Sequence, residues 1–139
     1  MRPEEWALVR GHVIRWSECD IYAHVNHAAY LTLFEDLRVE HWRMLSGHAV
    51  APDRAGPVVA RLEVRYIRPV GFGEEVVLTC RTAALRRNSF THEYALWRDG
   101  EICCDARAVC VVTRQDTGAK VALTDAMRAR MLAEGAREE

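Results

Sequence analysis

The feature that most restricts the fold of this chain is one long helical pattern between residues 27 and 46. Apolar and aromatic side chains recur there with the three- and four-residue spacing of a single helix face, at Tyr30, Leu33, Phe34, Leu37, His41, Met44 and Leu45. Gly47 follows the last of them and is a typical residue just beyond a helix end. Such a helix is about 30 Å long. We therefore expect it to be the central element of a chain of 139 residues.

Five other segments have the residue pattern of strands: Val9–Trp16, Pro57–Arg68, Glu75–Leu85, Ser89–Arg98 and Glu101–Thr113. The dipeptide Asp99-Gly100 between the last two is typical of a two-residue hairpin turn. A short helix is predicted from about Thr124, which suits its N-cap position. The sequence therefore predicts an α+β fold, in which an antiparallel five-stranded sheet wraps around the long helix and a short C-terminal helix follows.

Charge and cysteine content exclude several classes of protein. The 19 basic and 20 acidic side chains give a net charge of −1, so no overall basic field attracts nucleic acid or an anionic membrane. The five cysteines are an odd number without C-x-x-C spacing, which argues against a disulfide framework and a zinc cage. Residues 1–9 carry three charges and do not resemble a signal peptide. We expect one domain over residues 1–139 and a cytoplasmic location.

The segment from Asp20 to Tyr30 is the part of the sequence most informative about chemistry. A carboxylate, an amide and two imidazoles (Asp20, Asn26, His24 and His27) occur where a strand has ended and the long helix begins. A helix N-terminus presents free N–H groups and the positive end of the helix dipole, which together stabilise an oxyanion. A carboxylate just upstream can act there as a nucleophile or as a base for water. The pattern predicts an acyl-transfer site, with Asn26 as the helix N-cap.

The motif Asp20-x3-His24-Val25-Asn26-His27-x2-Tyr30 resembles the signature of the 4-hydroxybenzoyl-CoA thioesterase family, whose members are hotdog-fold acyl-CoA thioesterases. His27 matches the position of a second catalytic histidine in the Tol–Pal-associated branch. The run His24-Val25-Asn26 is instead similar to that of long-chain acyl-CoA and acyl-ACP thioesterases. The likeness continues through residues 66–70, 86–89 and 111–117. Because the motif combines features of two branches, the resemblance does not imply the acyl preference of either branch for this protein.

The resemblance implies a role for each matching residue. Asp20 would be the catalytic carboxylate, and the N–H groups of His27 and Ala28 would hold the thioester oxygen. The His27 imidazole would orient water or the carbonyl group, while Asn26 and Tyr30 would fix the turn and the acyl pocket. The family builds its site between two subunits, so the resemblance implies a homodimer or homotetramer with coenzyme A along the interface.

Three further expectations concern the rest of this site. The resemblance places Arg86 and Arg87 near the nucleotide end of coenzyme A, where arginine suits phosphate oxygens. It leaves His24 as either a catalytic partner or a loop residue. Coenzyme A enters only as part of the substrate, so no cofactor is expected. Asp20, His24 and His27 offer no complete ligand set, so we expect no metal there.

Simpler explanations stay open for the same residues. Asp20 is also a favoured turn residue, and His27 is also consistent with a plain helix start. Tyr30 fits the core, and Arg86 and Arg87 fit a solvated hairpin tip. Two other functions remain alternatives to acyl-CoA hydrolysis: a non-catalytic acyl-CoA-binding hotdog module, and a hotdog enoyl-thioester hydratase or dehydratase.

Overall fold

The computed structural model describes all residues from 1 to 139. It contains the helices α1 (His27–Ser46) and α2 (Asp125–Ala133) and the strands β1 (Leu8–Val13), β2 (Ala55–Tyr66), β3 (Glu75–Leu85), β4 (Ser89–Arg98), β5 (Glu101–Arg114) and β6 (Arg137–Glu138). Two single-turn 3-10 helices, Pro3–Glu5 and Trp16–Glu18, flank β1. The bounds of α1, β3 and β4 agree with the sequence prediction.

Five strands form an antiparallel sheet in the order β1-β3-β4-β5-β2. The predicted α+β fold, with one long helix and a short C-terminal helix, is confirmed. A sixth strand, β6, pairs in parallel with the end of β3 and was not predicted, because two charged residues carry no strand pattern. Neither helix combines the length and the apolar composition of a membrane-spanning segment.

Three predicted strands have different ends in the structure, and for β5 the difference is one residue, since it ends at Arg114 instead of Thr113. The first strand stops at Val13 rather than Trp16, because the chain turns there into the 3-10 helix Trp16–Glu18. β2 stops at Tyr66 rather than Arg68, because the N–H groups of Ile67 and Arg68 both donate to the Cys103 carbonyl and the regular ladder ends.

Helix α1 packs its apolar face on the concave side of the sheet. Its buried residues are Tyr30, Leu33, Phe34, Leu37, His41, Trp42 and Leu45. Met44, predicted on this face, is 50% exposed, whereas Trp42 is 1% exposed. The reason is a tertiary contact, since the indole of Trp42 stacks on the Phe90 ring of β4 with 6.0 Å between centroids. The helix ends at Gly47, whose φ of 81° is the left-handed conformation that glycine adopts without strain.

Candidate active site

The segment before α1 forms a tight turn that holds Asp20. Cys19 and Val25 pair as an isolated antiparallel bridge. Inside it, the Asp20 N–H donates to the His24 carbonyl at 2.9 Å, and the Ala23 N–H donates to the Asp20 carbonyl at 3.0 Å. The Tyr22 N–H donates to Oδ1 of Asp20 at 2.9 Å. The Asp20 side chain is therefore half-buried and held by one hydrogen bond, with its other carboxylate oxygen accepting no hydrogen bond from the protein.

This turn, residues 19–25, is attached to the segment that leads into β3. The Val25 N–H donates to the Val70 carbonyl at 2.8 Å, and the Phe72 N–H donates to the Ala23 carbonyl at 2.9 Å. His24 and Gly71 form a further isolated bridge. The turn therefore lies at the end of the sheet where β3 begins.

Glu18 is a buried carboxylate that the sequence reasoning missed. Its Oε1 accepts a hydrogen bond from the Arg15 N–H at 2.8 Å and lies 2.9 Å from Nε2 of His12. Burial raises the pKa of Glu18, but the hydrogen bonds from Arg15 and His12 outweigh burial and leave this pKa below its usual value. The sequence around Glu18 does not distinguish it from an acidic residue exposed to solvent, because its burial and its contact with His12 arise only in the folded chain.

The N-terminus of α1 offers one free backbone donor. Asn26 is the N-cap, as predicted, and its Oδ1 accepts a hydrogen bond from the Ala28 N–H at 2.8 Å. The Ala29 N–H donates to the Asn26 carbonyl at 2.9 Å, whereas the His27 N–H donates to no group of the protein. Because Asn26 occupies the Ala28 N–H, the expected pair of donors is reduced to the His27 N–H in this conformation.

The other predicted site residues of this region lie around the same helix start. The imidazoles of His24 and His27 are exposed and make no hydrogen bond within the protein. Tyr30 is 4% exposed and meets the ring of Tyr66 edge-on, at 5.5 Å between centroids, so it belongs to the core. The Tyr66 hydroxyl donates to the His27 carbonyl at 2.8 Å, which joins β2 to the first turn of α1.

The structure does not bring Arg86 and Arg87 to this turn within one chain. They follow Leu85, at the end of β3 opposite to Glu75, and β3 has eleven residues, which corresponds to about 33 Å. Arg86 donates to Glu139 Oε1 at 2.8 Å and to Thr91 Oγ1 at 3.2 Å. Arg87 is exposed and makes no ion pair.

Exposed apolar side chains lie in the turn and in the segments that contact it or the start of α1: Trp16, Ile21, Tyr22, Tyr66 and Phe72. Nearby, α1 and β2 leave a cavity of about 230 Å³ between them, which is lined by Leu31, Phe34, Val59 and Leu62 among others. An apolar surface of this kind next to polar side chains is typical of a ligand site or an interface.

Comparison with known proteins places the chain among thioesterases. The model of the thioesterase-like superfamily matches residues 14–131. YsmA, an uncharacterized protein of Bacillus subtilis (strain 168), is 28% identical over 120 residues, which are 86% of this chain and 81% of YsmA.

Two solved structures extend the likeness to three dimensions. A thioesterase-superfamily protein from Jannaschia sp. CCS1 superposes with a TM-score of 0.86 at 30% identity, covering 94% of this chain and 85% of that one. A thioesterase from Thermus thermophilus, complexed with coenzyme A and zinc, gives a TM-score of 0.77 at 29% identity, covering 94% and 96%. The family match and the shared hotdog architecture establish that this chain belongs to the thioesterase-like superfamily.

Proposed function

We propose that the protein hydrolyses acyl-CoA thioesters to a free carboxylic acid and coenzyme A at the start of α1. The observation that carries this proposal is the free His27 N–H, which lies one residue after the N-cap of a 20-residue helix and directly after the turn that holds Asp20. Backbone donors at the positive end of a helix stabilise the negative charge that develops on an attacked carbonyl oxygen.

Asp20 is the catalytic carboxylate in this proposal. Acting as a general base, it accepts a proton from water while the water oxygen bonds to the thioester carbon and the carbonyl oxygen becomes an oxyanion at the His27 N–H. The oxyanion then collapses, the carbon–sulfur bond breaks, and the coenzyme A thiolate leaves and takes up a proton. Acting as a nucleophile, the Asp20 carboxylate bonds to the thioester carbon, the carbon–sulfur bond breaks, and the coenzyme A thiolate leaves; water then hydrolyses the acyl anhydride to the carboxylic acid and restores Asp20. His24 and His27 present exposed imidazoles beside this path.

The substrate class is supported by the comparisons and by the surface around the turn. The Thermus thermophilus thioesterase contains coenzyme A, which favours a coenzyme A ester here. The cavity between α1 and β2 is lined mainly by apolar side chains, which suits an acyl group. The narrower likeness to the 4-hydroxybenzoyl-CoA branch belongs to this proposal as well, with the acyl group left open.

A homodimer completes the proposed site. β2 is a sheet-edge strand of twelve residues with exposed Val58, Leu62 and Tyr66, and a long unpaired edge strand that exposes apolar side chains favours pairing with another chain. Arg86 and Arg87 lie too far from Asp20 of the same chain to serve one compact site. This favours their contribution from a second copy, to the phosphates of coenzyme A.

The test is thiol release from a panel of short, long and aryl acyl-CoA esters. Wild-type protein is expected to release coenzyme A, and Asp20→Asn to lower the turnover by about 100-fold or more while the ester still binds. Asparagine keeps an oxygen for the Tyr22 N–H, so the turn is preserved. The exposed Asp53 supplies the control variant, Asp53→Asn, which is expected to keep full activity.

Other outcomes of this panel contradict the proposal. Tight acyl-CoA binding without thiol release identifies a binding module instead. Addition of water to an enoyl-CoA without loss of the thioester identifies a hydratase. Unchanged turnover in Asp20→Asn removes Asp20 from the mechanism.

A further inference from the structure

A second polar cluster lies deep in the core, away from the helix start. It consists of His41 of α1, Cys80 of β3 and His92 of β4, which are 0%, 0% and 1% exposed. One nitrogen of each histidine and the Cys80 sulfur all lie within 4.8 Å of one another. His41 comes fourteen residues after His27, about 21 Å further along the helix. The cluster is therefore separate from the proposed active site.

Strand register explains why these residues meet. Cys80 pairs with Tyr94 and Thr82 pairs with His92, so Cys80 and His92 are diagonal neighbours on the same face of the sheet. That face is covered by α1, which places His41 against both. The sequence separations of 39 and 12 residues carry no recognisable ligand motif, so this cluster was not found from the sequence.

In each histidine, the ring nitrogen that faces away from the other two cluster residues has a hydrogen-bond partner. Nε2 of His41 lies 2.6 Å from Oε2 of Glu134, and Nδ1 of His92 lies 2.8 Å from the Tyr94 hydroxyl. The inner nitrogens, Nδ1 of His41 and Nε2 of His92, face each other at 2.6 Å, and the Cys80 sulfur is 3.3 Å from Nε2 of His92. Metal-binding histidines are typically held in this way, with a carboxylate or hydroxyl on the nitrogen that does not bind the metal.

We propose that His41 Nδ1, His92 Nε2 and Cys80 Sγ bind one Zn²⁺ ion in the core. Zinc prefers thiolate and imidazole ligands in a tetrahedral arrangement, with bonds of about 2.0–2.1 Å to nitrogen and about 2.3 Å to sulfur. These bond lengths place two ligand nitrogens about 3.3 Å apart. The two imidazoles must therefore separate by about 0.7 Å to admit the ion.

The charges and protons balance around the bound ion. The Cys80 thiol releases its proton to solvent, and the thiolate and Zn²⁺ together carry one positive charge, which the Glu134 carboxylate neutralises. His41 keeps its proton on Nε2 toward Glu134, and His92 carries its proton on Nδ1 toward Tyr94. The metal ion therefore binds in competition with the thiol proton of Cys80.

The metal-free cluster is also a satisfied arrangement. Tyr94, His92, His41 and Glu134 form a continuous chain of hydrogen bonds, and the Thr82 N–H donates to Oε1 of Glu134 at 3.1 Å. The protein can therefore fold without the ion, and metal binding can be measured against a folded reference. Zinc bound there joins α1, β3 and β4 and raises the stability of the fold by mass action.

The experiment compares metal-free protein with protein that has been titrated with Co²⁺ and then with Zn²⁺, both directly and after refolding in the presence of the metal. We expect one Co²⁺ per chain, a thiolate-to-cobalt charge-transfer band, loss of the band on adding Zn²⁺, and a higher melting temperature with Zn²⁺. The band is expected to disappear in Cys80→Ser and to persist in Cys104→Ser, which changes another fully buried cysteine.

A further variant keeps the test decisive if Cys80→Ser does not fold. Glu134→Gln leaves all three ligands in place and is expected to weaken Zn²⁺ affinity by about 10- to 100-fold at unchanged stoichiometry. The proposal is overturned if wild-type protein binds no metal by either route, or if Cys80→Ser retains the charge-transfer band. Thioester hydrolysis does not enter this test, so the two proposals succeed or fail separately.

Discussion

The Asn26 N–H donates a hydrogen bond to the main-chain carbonyl of Glu18 at 2.8 Å, across the turn that carries Asp20. The carboxylate of the same glutamate is buried and forms hydrogen bonds with the Arg15 N–H and the His12 imidazole. One residue therefore fixes the entrance to the turn through its carboxylate and the start of α1 through its carbonyl. The position of Asp20 relative to the helix N-terminus depends on this anchor.

Acid is expected to weaken this anchor. The pKa of Glu18 in the folded protein lies below the ordinary value of 4.5, so the folded state favours the charged carboxylate more than the unfolded state does. The stability that Glu18 supplies is therefore complete above about pH 4.5 and is lost as the pH falls through the folded pKa. Urea unfolding between pH 7 and pH 3 measures this loss.

The variant Glu18→Gln isolates the contribution. It is expected to lower the free energy of unfolding by about 1–3 kcal/mol at pH 7 and by less at pH 3. Glu101→Gln, at an exposed position, is the control and is expected to follow the wild-type curve. A constant difference between wild type and Glu18→Gln over this range would contradict the ionic anchor.

Variants at the N-caps of the two helices can distinguish an effect on stability from an effect on catalysis. Asn26→Ala is expected to lower the free energy of unfolding by about 1 kcal/mol and to lower the turnover, because the first turn of α1 is no longer fixed. Thr124 caps α2 in the same way, with its side chain accepting from the Met127 N–H. Thr124→Ala is expected to cost similar stability and leave turnover unchanged, so equal turnover in both variants would argue against an oxyanion site at α1.

Arg86 and Arg87 are predicted to contact the phosphates of coenzyme A. The double variant Arg86→Ala, Arg87→Ala is expected to raise KM by about tenfold for an acyl-CoA and much less for the matching acyl-pantetheine ester, since one charge-assisted hydrogen bond is worth about that factor. The exposed Arg2 provides the control variant Arg2→Ala. Equal changes in KM for both esters would remove the phosphate role.

The two edges of the sheet give a matched test of the dimer. Wild-type protein is expected to elute with the light-scattering mass of at least two 15.8 kDa chains. Leu62→Lys on β2 is expected to lower this mass to one chain and to lower turnover with it, because a buried lysine charge opposes association. Val9→Lys introduces the same charge at an exposed position of β1, the opposite edge, and is expected to leave the dimer intact. An active wild-type monomer would contradict a shared site.

Local signals explain which parts of the fold were predictable. The bounds of α1 follow from its periodicity, from Asn26 as N-cap and from Gly47 as a left-handed terminator, all of which act within a few residues. The exposure of Met44 and the burial of Trp42 were not predictable, because they depend on where Phe90 of a distant strand lies. β6 escaped prediction for the same reason, since its two residues pair only where β3 is already in place.

The residues of the candidate site also differ in whether short-range sequence patterns predict them. Asp20, His24, Asn26 and His27 were found because they are close in sequence, although their catalytic roles remain predictions. Glu18 has no short-range pattern that marks its carboxylate as buried. The cluster of His41, Cys80 and His92 depends on the pairing of β3 with β4, which a single sequence does not specify.

The hydrogen bond from the Tyr66 hydroxyl to the His27 carbonyl gives the edge strand a second role. Tyr66 is the last residue of β2, so association of two chains along this edge would also restrain the peptide group that follows the proposed oxyanion donor. Dilution would then impair each individual catalytic centre as well as separate the subunits. Specific activity is consequently expected to fall in proportion to the dimer fraction on dilution, and a Tyr66→Phe enzyme to show a lower specific activity even when it is fully dimeric.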